Sequence, residues 1–374
     1  MRILFMADLP KDPNSGAAGT EVHFVDALRR QGHEVDEIWN DQLPRRIGHH
    51  NLHYLLELPR TYRAALRRAA SRAPYDVFHV NQPHGWLAAR SIRGRRRGVF
   101  VHRSHGFEPH VRDVTRRWRE QLVQSDRRAA PRRAASAAME TLLIDRHARL
   151  IAKYADGHIV SASGDRDYLV DRLGVDAARV AVIPQAPPDD YRTAPLEPMT
   201  DERLRHVLYV GQLAFVKAPM IVAAVMNRLH QLDPALRFTW VCSKDHHDAV
   251  RRLTGDYVRL LDWMPAGALR TVYDTHGVFL FLSFFEGFGK VFLEAMSRGL
   301  CVIATRTGGM RDVIDDGRDG ILVDPGNVDA AVAAIHRVSI EMSAAAAAKA
   351  RAYSWDRVAR ESVAFYASLM ARQS

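Results

Sequence analysis

Cysteine is scarce in this chain, and long apolar runs are absent from it. Its 374 residues include only two cysteines, Cys242 and Cys301, and both lie inside short apolar runs typical of buried strands. Two isolated cysteines exclude a disulfide framework and a cysteine-based metal site. No run approaches the about 18 apolar residues that a transmembrane helix needs. Arg2 and Asp8 bring charge too early for a signal peptide, so we expect a cytoplasmic protein.

Lysine is also scarce, whereas arginine is abundant. Only six of the 53 lysine and arginine residues are lysine, and the net charge is +10. Such a charge suits nucleic acid, an anionic membrane or an acidic ligand as partner. The chain has no recognisable nucleic-acid-binding module, so we expect no nucleic acid as partner, and a basic nucleic-acid-binding protein is the remote alternative.

Arginines cluster in the helix-prone stretch 112–149, and biased composition explains their number but not their clustering. We interpret this basic stretch in three ways: a solvated surface, a site for an anionic acceptor, or a patch that contacts anionic lipid at the inner face of the membrane. The clustered residues are Arg116, Arg117, Arg119, Arg127, Arg128, Arg132 and Arg133.

Twelve short apolar runs alternate with longer segments of helical period. Apolar runs without polar alternation are typical of parallel strands that helices cover on both faces. Two series of six runs therefore predict two doubly wound α/β domains. The first series is 3–7, 35–39, 77–80, 99–102, 158–161 and 180–183, and the second is 206–210, 238–242, 258–261, 278–282, 301–305 and 320–323.

Clustered prolines mark the boundary between the two series. Proline interrupts both helix and strand, so residues 186–200, which follow Pro184, are predicted to be a linker. We expect a first Rossmann-like domain over 1–185 and a second over 201–354. A final helix over 355–374 completes the first domain in the family described below.

The most informative segment is residues 283–314. An apolar run leads into a glycine-bearing loop at 287–289, and a helix-forming run begins at Lys290. Glycine permits close approach of the backbone to a ligand, and a helix N-terminus attracts anions. Glu286 and Glu294 flank this anion site. Because a carboxylate repels phosphate, each is expected to face a neutral group, such as a sugar hydroxyl.

This segment resembles the signature of retaining glycosyltransferases of family 4, which have the GT-B fold. The matching features are E-x7-E at Glu286 and Glu294, E-G-F-G from Glu286, E-A-M from Glu294, the pair Gly308-Gly309, and G-x-L-V-x-P at 320–325. The resemblance implies two Rossmann-like domains that face each other across a cleft, the first on the acceptor side and the second binding the nucleotide sugar. It also implies transfer of a sugar from a UDP- or GDP-sugar to a hydroxyl of a glycan, lipid-linked or small-molecule acceptor, without a cofactor. A nucleotide-sugar epimerase or phosphorylase on the same fold is the alternative.

The resemblance also assigns roles in the second domain. Glu286 is implied to be catalytic by positioning the sugar hydroxyls, and Glu294 to bind the nucleotide ribose. Lys217 is implied to hold the diphosphate. Gln212 is placed among the donor-binding residues as an uncharged hydrogen-bond donor, where an arginine is usual in the family, and Ala218 replaces a usual glycine. The other implied donor-binding residues are Gly211, Gly287, Phe288, Gly289, Lys290 and Val291.

Two features of the first domain also resemble the family. The loop 14–20 carries Gly16 and Gly19, which are implied to approach the diphosphate, although the family usually has adjacent glycines here. His105 ends a predicted strand and is followed by glycine. It resembles the family's His-Gly that approaches the transferred sugar, so His105 is the second implied catalytic residue.

No metal site is expected. The segment 165–167 matches the aspartate pair of the other glycosyltransferase fold, GT-A, but acidic residues also suit the first turn of a helix. The pair His246-His247 lacks further ligands at metal-site spacing. Fixed positive groups, Lys217 and the backbone N–H groups of 290–292, are expected to stabilise the leaving diphosphate instead.

Overall fold

The computed structural model describes residues 1–48, 52–93, 98–122 and 131–373. They form two compact units. The first unit comprises Met1–Pro184 with Asp356–Ser374, and the second comprises Gln185–Trp355. The segment 186–200, predicted to be a linker, belongs to the second unit, where Tyr191 is fully buried.

The first unit contains a six-stranded parallel sheet in the order β2-β1-β3-β4-β5-β6. Its strands are β1 Arg2–Met6, β2 Glu34–Ile38, β3 Val77–Asn81, β4 Val99–Ser104, β5 Gly157–Val160 and β6 Val180–Val182. Its helices are α1 Gly16–Arg30, α2 Leu58–Arg72, α3 Trp86–Ile92, α4 Glu108–Leu122, α5 Pro131–Tyr154 and α6 Ser163–Asp167. A π-helical turn, Tyr168–Arg172, follows α6.

The second unit repeats this plan with the order β12-β11-β10-β7-β8-β9. Its strands are β7 His206–Val210, β8 Arg237–Val241, β9 Val258–Leu261, β10 Val278–Phe281, β11 Cys301–Thr305 and β12 Ile321–Val323. Its helices are α7 Asp189–Thr193, α8 Asp201–Leu204, α9 Pro219–Leu232, α10 His247–Thr254, α11 Ala266–Asp274, α12 Lys290–Ser297, α13 Gly308–Val313, α14 Val328–Ala334 and α15 Ile340–Ala350.

Alternate side chains of the central strands enter separate hydrophobic cores. In β10, Val278 and Leu280 belong to one core of the second unit, whereas Phe279 and Phe281 belong to the other. Successive residues of a strand point to opposite faces, so both faces of this sheet are covered. This arrangement explains why the strands lack polar alternation.

The last helix, α16 Trp355–Gln373, packs on the sheet of the first unit. A methyl group at Gly157 of β5 would lie 2.4 Å from Leu369 of α16, so only glycine fits beneath this helix. The Tyr366 hydroxyl is hydrogen-bonded to Nδ1 of His79 in β3 at 2.6 Å. Residues at the end of the chain therefore complete the core around β3 and β5.

The structure confirms the predicted fold class. All twelve predicted runs form strands in two parallel sheets, and their ends differ from the predicted ends by at most two residues. The predictions succeeded because buried parallel strands are short and apolar throughout.

Candidate functional site

Lys217 and Glu286 lie together at one edge of the second sheet. Lys217 ends a 3-10 turn after β7, Glu286 lies in the loop after β10, and these two strands are neighbours. The Lys217 ammonium donates to Oε1 of Glu286 at 2.6 Å. The glutamate side chain is only 9% exposed, and the lysine is 30% exposed. The lysine implied to hold the diphosphate and the glutamate implied to position the sugar thus form one partly buried ion pair.

A glycine pair fixes the loop that carries Glu286. Gly308 has a φ of +49°, and a methyl group there would lie 2.0 Å from the carbonyl oxygen of Glu286. A methyl group on Gly309 would lie 2.4 Å from the ring of Phe288. Phe288 is itself buried and packs on Phe292. Its side chain therefore belongs to the core, and the loop presents its backbone rather than this ring.

The N-terminus of α12 carries no side-chain cap. Gly289 precedes the helix with a φ of +87°, a conformation that favours glycine. The N–H of Phe292 donates to the carbonyl of Gly289 at 3.0 Å. The prediction that the N–H groups of 290–292 serve an anion therefore needs correction, because Phe292 is already bonded. Lys290 and Val291, both half-buried, remain as the donors at this helix start.

Glu294 lies one turn into α12 and is buried. Burial raises the pKa of its carboxyl, and the nearby Lys290 lowers it in part. The Lys290 ammonium is 3.6 Å from Oε1, and the Tyr273 hydroxyl donates to Oε2 at 3.4 Å. A buried carboxylate with few donors is suited to bind the hydroxyls of an arriving ligand.

The two departures from the family pattern, Gln212 and Ala218, lie in the segment that joins β7 to α9. The Gln212 amide oxygen accepts from the backbone N–H of Ser243 at 3.2 Å and contacts the His246 ring at 3.0 Å. Its amide group is exposed and can donate but carries no charge. Ala218 adopts a left-handed conformation, with a φ of 49°, at the start of α9. Gly211 is required by packing, since a methyl group there would lie 2.4 Å from the Tyr209 hydroxyl.

In the first unit, the glycine-bearing segment after β1 is mostly helix. Ser15 caps α1 by accepting from the N–H groups of Ala18 and Gly19 at 3.1 and 3.3 Å. The predicted loop 14–20 is therefore wrong in extent, because this cap starts the helix at Gly16. A methyl group on Gly19 would lie 2.4 Å from the carbonyl oxygen of Pro13, whereas the position above Gly16 is open. Gly19 thus has a packing role within its own unit.

His105 follows β4 and contacts a fully buried carboxylate. Its Nε2 is hydrogen-bonded to Oε1 of Glu21 on α1, and the same oxygen accepts from the Asn81 amide at 2.8 Å. The guanidinium of Arg103 lies 3.6 Å from Glu21 and over the ring of Phe24. Burial alone raises the pKa of Glu21, but His105 and Arg103 lower it to about 2. Glu21 therefore stays ionised and holds the imidazole in place.

The sequence did not predict the residues around His105. Glu21, Asn81 and Arg103 come from a helix and two strands, and each is buried. A signal was present, because a charged residue in the middle of an apolar strand or on the apolar side of a helix needs a buried partner. These residues lie far apart in the chain, so no sequence pattern pairs them with one another.

The segments weighed as metal ligands have other contacts. Asp165 is buried and accepts from the backbone N–H of Phe107 at 3.1 Å and from the His110 ring at 2.7 Å. His246 contacts Gln212, and His247 lies 3.3 Å from the carbonyl of Leu261. In the ranges that the structure describes, no group of three or more His, Cys, Asp or Glu residues could hold a metal ion.

The basic stretch 112–149 is described in part. Arg116, Arg117 and Arg119 are exposed on α4. Arg127 and Arg128 lie outside the described residues, as do the side chains of 131–140. Within the described ranges, no helix combines the length and the hydropathy that crossing a bilayer requires.

Known proteins match this chain along most of its length. Residues 15–186 match the family model described as Glycosyltransferase Family 4, and residues 205–340 match the one described as Glycosyl transferases group 1. The D-inositol 3-phosphate glycosyltransferase of Geodermatophilus obscurus is 30% identical over 332 residues, which cover 81% of this chain and 69% of that protein.

Two solved structures of similar fold match nearly the whole chain. Sucrose-phosphate synthase from Thermosynechococcus elongatus has a TM-score of 0.75 at 19% identity, with 99% of each chain covered. HepE of Anabaena, solved in complex with UDP and glucose, has a TM-score of 0.66 at 16% identity, with 98% of this chain and 100% of that chain covered. At these identities the likeness shows the fold alone, which is the GT-B fold.

Proposed function

The chain belongs to glycosyltransferase family 4, and from this premise we propose that it transfers a sugar from a nucleoside-diphosphate sugar with retention of anomeric configuration. The observation that carries the proposal is the ion pair of Lys217 and Glu286, which lies at the carboxyl ends of two neighbouring strands. Ligands of open α/β sheets bind at this edge. The UDP and glucose in the HepE structure support a donor of this class.

The diphosphate is proposed to replace Glu286 as the partner of Lys217. The ammonium is the more exposed member of the pair, so an incoming phosphate can reach it first. Phosphate then forms the charge-assisted hydrogen bond that Glu286 gives up. The released carboxylate accepts hydrogen bonds from the sugar hydroxyls. Donor binding and orientation of the sugar are thereby coupled through one lysine.

The chemical step breaks the bond between the anomeric carbon and the phosphate oxygen. Negative charge grows on the leaving diphosphate, where Lys217 and the N–H groups of Lys290 and Val291 stabilise it. The acceptor hydroxyl attacks from the face that the diphosphate leaves, and its proton passes to the leaving phosphate. Glu294 is proposed to bind the ribose hydroxyls, and His105, oriented by Glu21, is proposed as a second catalytic residue.

A donor screen tests this function. Candidate UDP- and GDP-sugars are compared by thermal stabilisation, and the best donor is assayed for release of nucleoside diphosphate with and without glycan, lipid-linked and small-molecule acceptors. We expect release to depend on an acceptor and the product to keep its anomeric configuration by NMR. Epimer formation without release of diphosphate would favour the epimerase, and acceptance of inorganic phosphate would favour the phosphorylase.

Replacing Glu286 connects this activity to the site. We expect Glu286→Gln to lower turnover at least about a hundredfold, because a neutral amide accepts hydrogen bonds from sugar hydroxyls more weakly than a carboxylate. Glu202→Gln is the matched control, since this side chain of the same unit is 65% exposed. Near-normal transfer by Glu286→Gln would contradict the assignment.

Contact with an anionic membrane on the cytoplasmic side is a further part of the proposal. It is supported by the exposed arginines Arg116, Arg117 and Arg119 on α4. Exposed charges are screened beyond about 8 Å at physiological salt, so sedimentation with acidic vesicles should weaken steeply as salt is added. Absence of binding at low salt would leave this stretch as a solvated surface or an acceptor site.

A further inference from the structure

A groove of about 750 Å³ lies on the first unit between α4, α5 and the π-helical turn after α6. Every residue that lines it belongs to the first unit, and none of them is Glu21, Asn81, Arg103 or His105. The groove is thus separate from the residues implied in catalysis. Its volume is in the range of pockets that bind small molecules.

The lining of this groove is strongly cationic. Among the residues that the structure describes, it contains seven arginine and lysine side chains but only two carboxylates, Asp113 and Asp145. Both carboxylates are already engaged by Arg112, at 3.0 and 2.7 Å, and Asp113 also accepts from the Tyr168 hydroxyl at 3.0 Å. The acidic residues therefore neutralise Arg112 and leave most of the positive charge unbalanced.

Three of the groove arginines have no counter-charge within the described ranges. Arg117, Arg149 and Arg172 are exposed and make neither a hydrogen bond nor an ion pair with any described residue. Arg116 has only a 4.0 Å contact with Asp113. The Arg179 guanidinium is fixed by backbone carbonyls, among them that of Asp156 at 3.0 Å. Like charges around one concavity repel each other, so an anion that fills the groove would stabilise them.

The geometry restricts the class of that anion. The unbalanced arginines come from three separate elements, α4, α5 and the π-helical turn. A small monovalent anion offers a single charge to these elements, whereas a ligand with several anionic groups offers one to each of them. Arginine presents a planar fork of donors that matches phosphate oxygens. A concave groove also suits a discrete molecule better than the flat surface of a bilayer.

We propose that this groove binds a ligand that carries two or more phosphate groups, either as a soluble molecule or as the headgroup of an anionic lipid. The proposal does not depend on sugar transfer. It assigns to the arginines of α4 and α5 a ligand site of their own, apart from the donor pocket at Lys217.

Calorimetry with inorganic tripolyphosphate at low salt tests the proposal on four proteins. They are the unmodified chain, the groove variant R117Q/R149Q/R172Q, the control variant R67Q/R205Q/R252Q, and K217A. The control removes the same charge from exposed arginines outside the groove. We expect the groove variant to bind about tenfold more weakly, the combined effect of three exposed charge pairs, while the control binds normally. K217A removes the phosphate contact of the donor pocket and should keep the binding at the groove.

Three results would overturn the proposal. Equal weakening in the groove and control variants would show attraction by net charge alone. Loss in K217A with normal binding by the groove variant would place the tripolyphosphate in the donor pocket. Absence of binding by the unmodified chain would also refute the site. Donor binding is measured in parallel, so failure of the groove and failure of the proposed transferase activity can be told apart.

Flotation with vesicles of phosphatidylcholine and cardiolipin in equal parts, where each cardiolipin headgroup carries two phosphates, distinguishes the two sources of phosphate. If the ligand is a headgroup, the unmodified chain floats with the vesicles, tripolyphosphate releases the chain from them, and the groove variant does not float. If the ligand is soluble, tripolyphosphate binds in calorimetry but the chain does not float.

Discussion

At the scale of single residues, the pairing of Lys217 with Glu286 makes the two side chains interdependent. Each is the charged partner of the other before any ligand arrives. A substitution at one position therefore removes a contact with the ligand, and it also leaves the other side chain without its charged partner. The two substitutions should consequently act in opposite directions on phosphate binding.

We expect Lys217→Ala to weaken binding of the nucleoside diphosphate much more than binding of the nucleoside. A hydrogen bond to a charged group contributes about 1.5–3 kcal/mol, which corresponds to roughly a tenfold to hundredfold loss of affinity. Glu286→Gln should keep or increase diphosphate affinity, because the lysine no longer has a competing partner. Calorimetry with both ligands measures this, with Lys11→Ala as the lysine control. Equal losses for nucleoside and diphosphate would contradict the phosphate role.

Individual residues were predicted unevenly from the sequence. Glu286 and Glu294 stood out because a motif places them at fixed spacing around a helix start. The contact between Lys217 and Glu286 could not be predicted, since 69 positions separate them and only the sheet order makes their loops neighbours. Glu21 was missed for the same reason, because its partners lie on β3 and β4.

At the scale of elements, the glycine pair Gly308-Gly309, which begins α13, determines where the loop after β10 lies. The loop and the start of α13 follow β10 and β11, which are paired strands, so they meet at the same edge of the sheet. Their backbones approach so closely that side-chain atoms cannot be accommodated at either glycine. The glycine pair of the family motif, which the sequence predicts to be a simple turn, is therefore the place where the segment after β11 contacts the loop after β10.

Gly308→Ala is predicted to lower turnover while the rest of the fold persists. The new methyl group would lie 2.0 Å from the carbonyl oxygen of Glu286, so the loop that carries this glutamate must move. A displacement of about 1 Å at a catalytic group can cost about a hundredfold in rate. Steady-state kinetics and thermal unfolding are measured together.

Gly32→Ala is the control for Gly308→Ala. Gly32 also has a positive φ, of +81°, but a methyl group there meets no atom within 4 Å. The variant Gly32→Ala should lose thermal stability through the strain of a left-handed alanine, and its turnover should stay normal. Normal turnover in both variants would contradict the idea that Gly308 is needed to position the loop that carries Glu286.

The start of α12 leads to an expectation about divalent metals. Lys217 and the N–H groups of Lys290 and Val291 provide fixed positive charge for the leaving diphosphate. We therefore expect transfer to continue in excess EDTA at a rate close to that of the untreated enzyme. The assay compares untreated, chelated and metal-supplemented protein. Complete loss in EDTA that manganese or magnesium restores would show that these groups do not suffice.

Elements were predicted better than residues because each depends on a local pattern. All twelve strands are apolar over their own length, and α12 and α16 begin close to the predicted residues. The errors arose where a cap or a tertiary contact decided the outcome. The cap of Ser15 extends α1 back to Gly16, and the segment 186–200 packs into the second unit through Tyr191.

At the scale of the whole molecule, the two units differ in their buried histidines. In the first unit, burial lowers the pKa of His79, His84 and His102 to about 3. In the second unit, burial lowers the pKa of His276 to about 4. A histidine in the unfolded chain has a pKa of about 6.5.

Acid should therefore destabilise the first unit before the second. Between about pH 6.5 and 3 the unfolded chain binds protons that the folded histidines do not, so stability falls as pH falls. Each such histidine contributes a slope of roughly 1.4 kcal/mol per pH unit. Glu21, whose pKa is lowered to about 2, adds to this loss below about pH 4.5. Glu108 opposes it, because burial raises its pKa to about 8 and its proton stabilises the folded state in acid.

Hydrogen exchange by mass spectrometry measures this difference between units. Samples at pH 7 and pH 5, corrected for the intrinsic pH dependence of exchange, should show greater loss of protection in β3 and β4 than in β10 and β11. Equal protection in both sheets at pH 5 would contradict the role of the buried histidines.

The return of α16 to the first unit has a consequence for synthesis on the ribosome. The second unit is one continuous segment, Gln185–Trp355, whereas the first unit lacks its final 19-residue helix until the second unit has been synthesised. Domains commonly fold in the order in which they are made. Here the second unit can complete its folding before the first. Until α16 is made, Gly157 lacks its contact with Leu369, and His79 lacks its contact with Tyr366. The nascent first unit is therefore the part of this chain that most needs protection by chaperones.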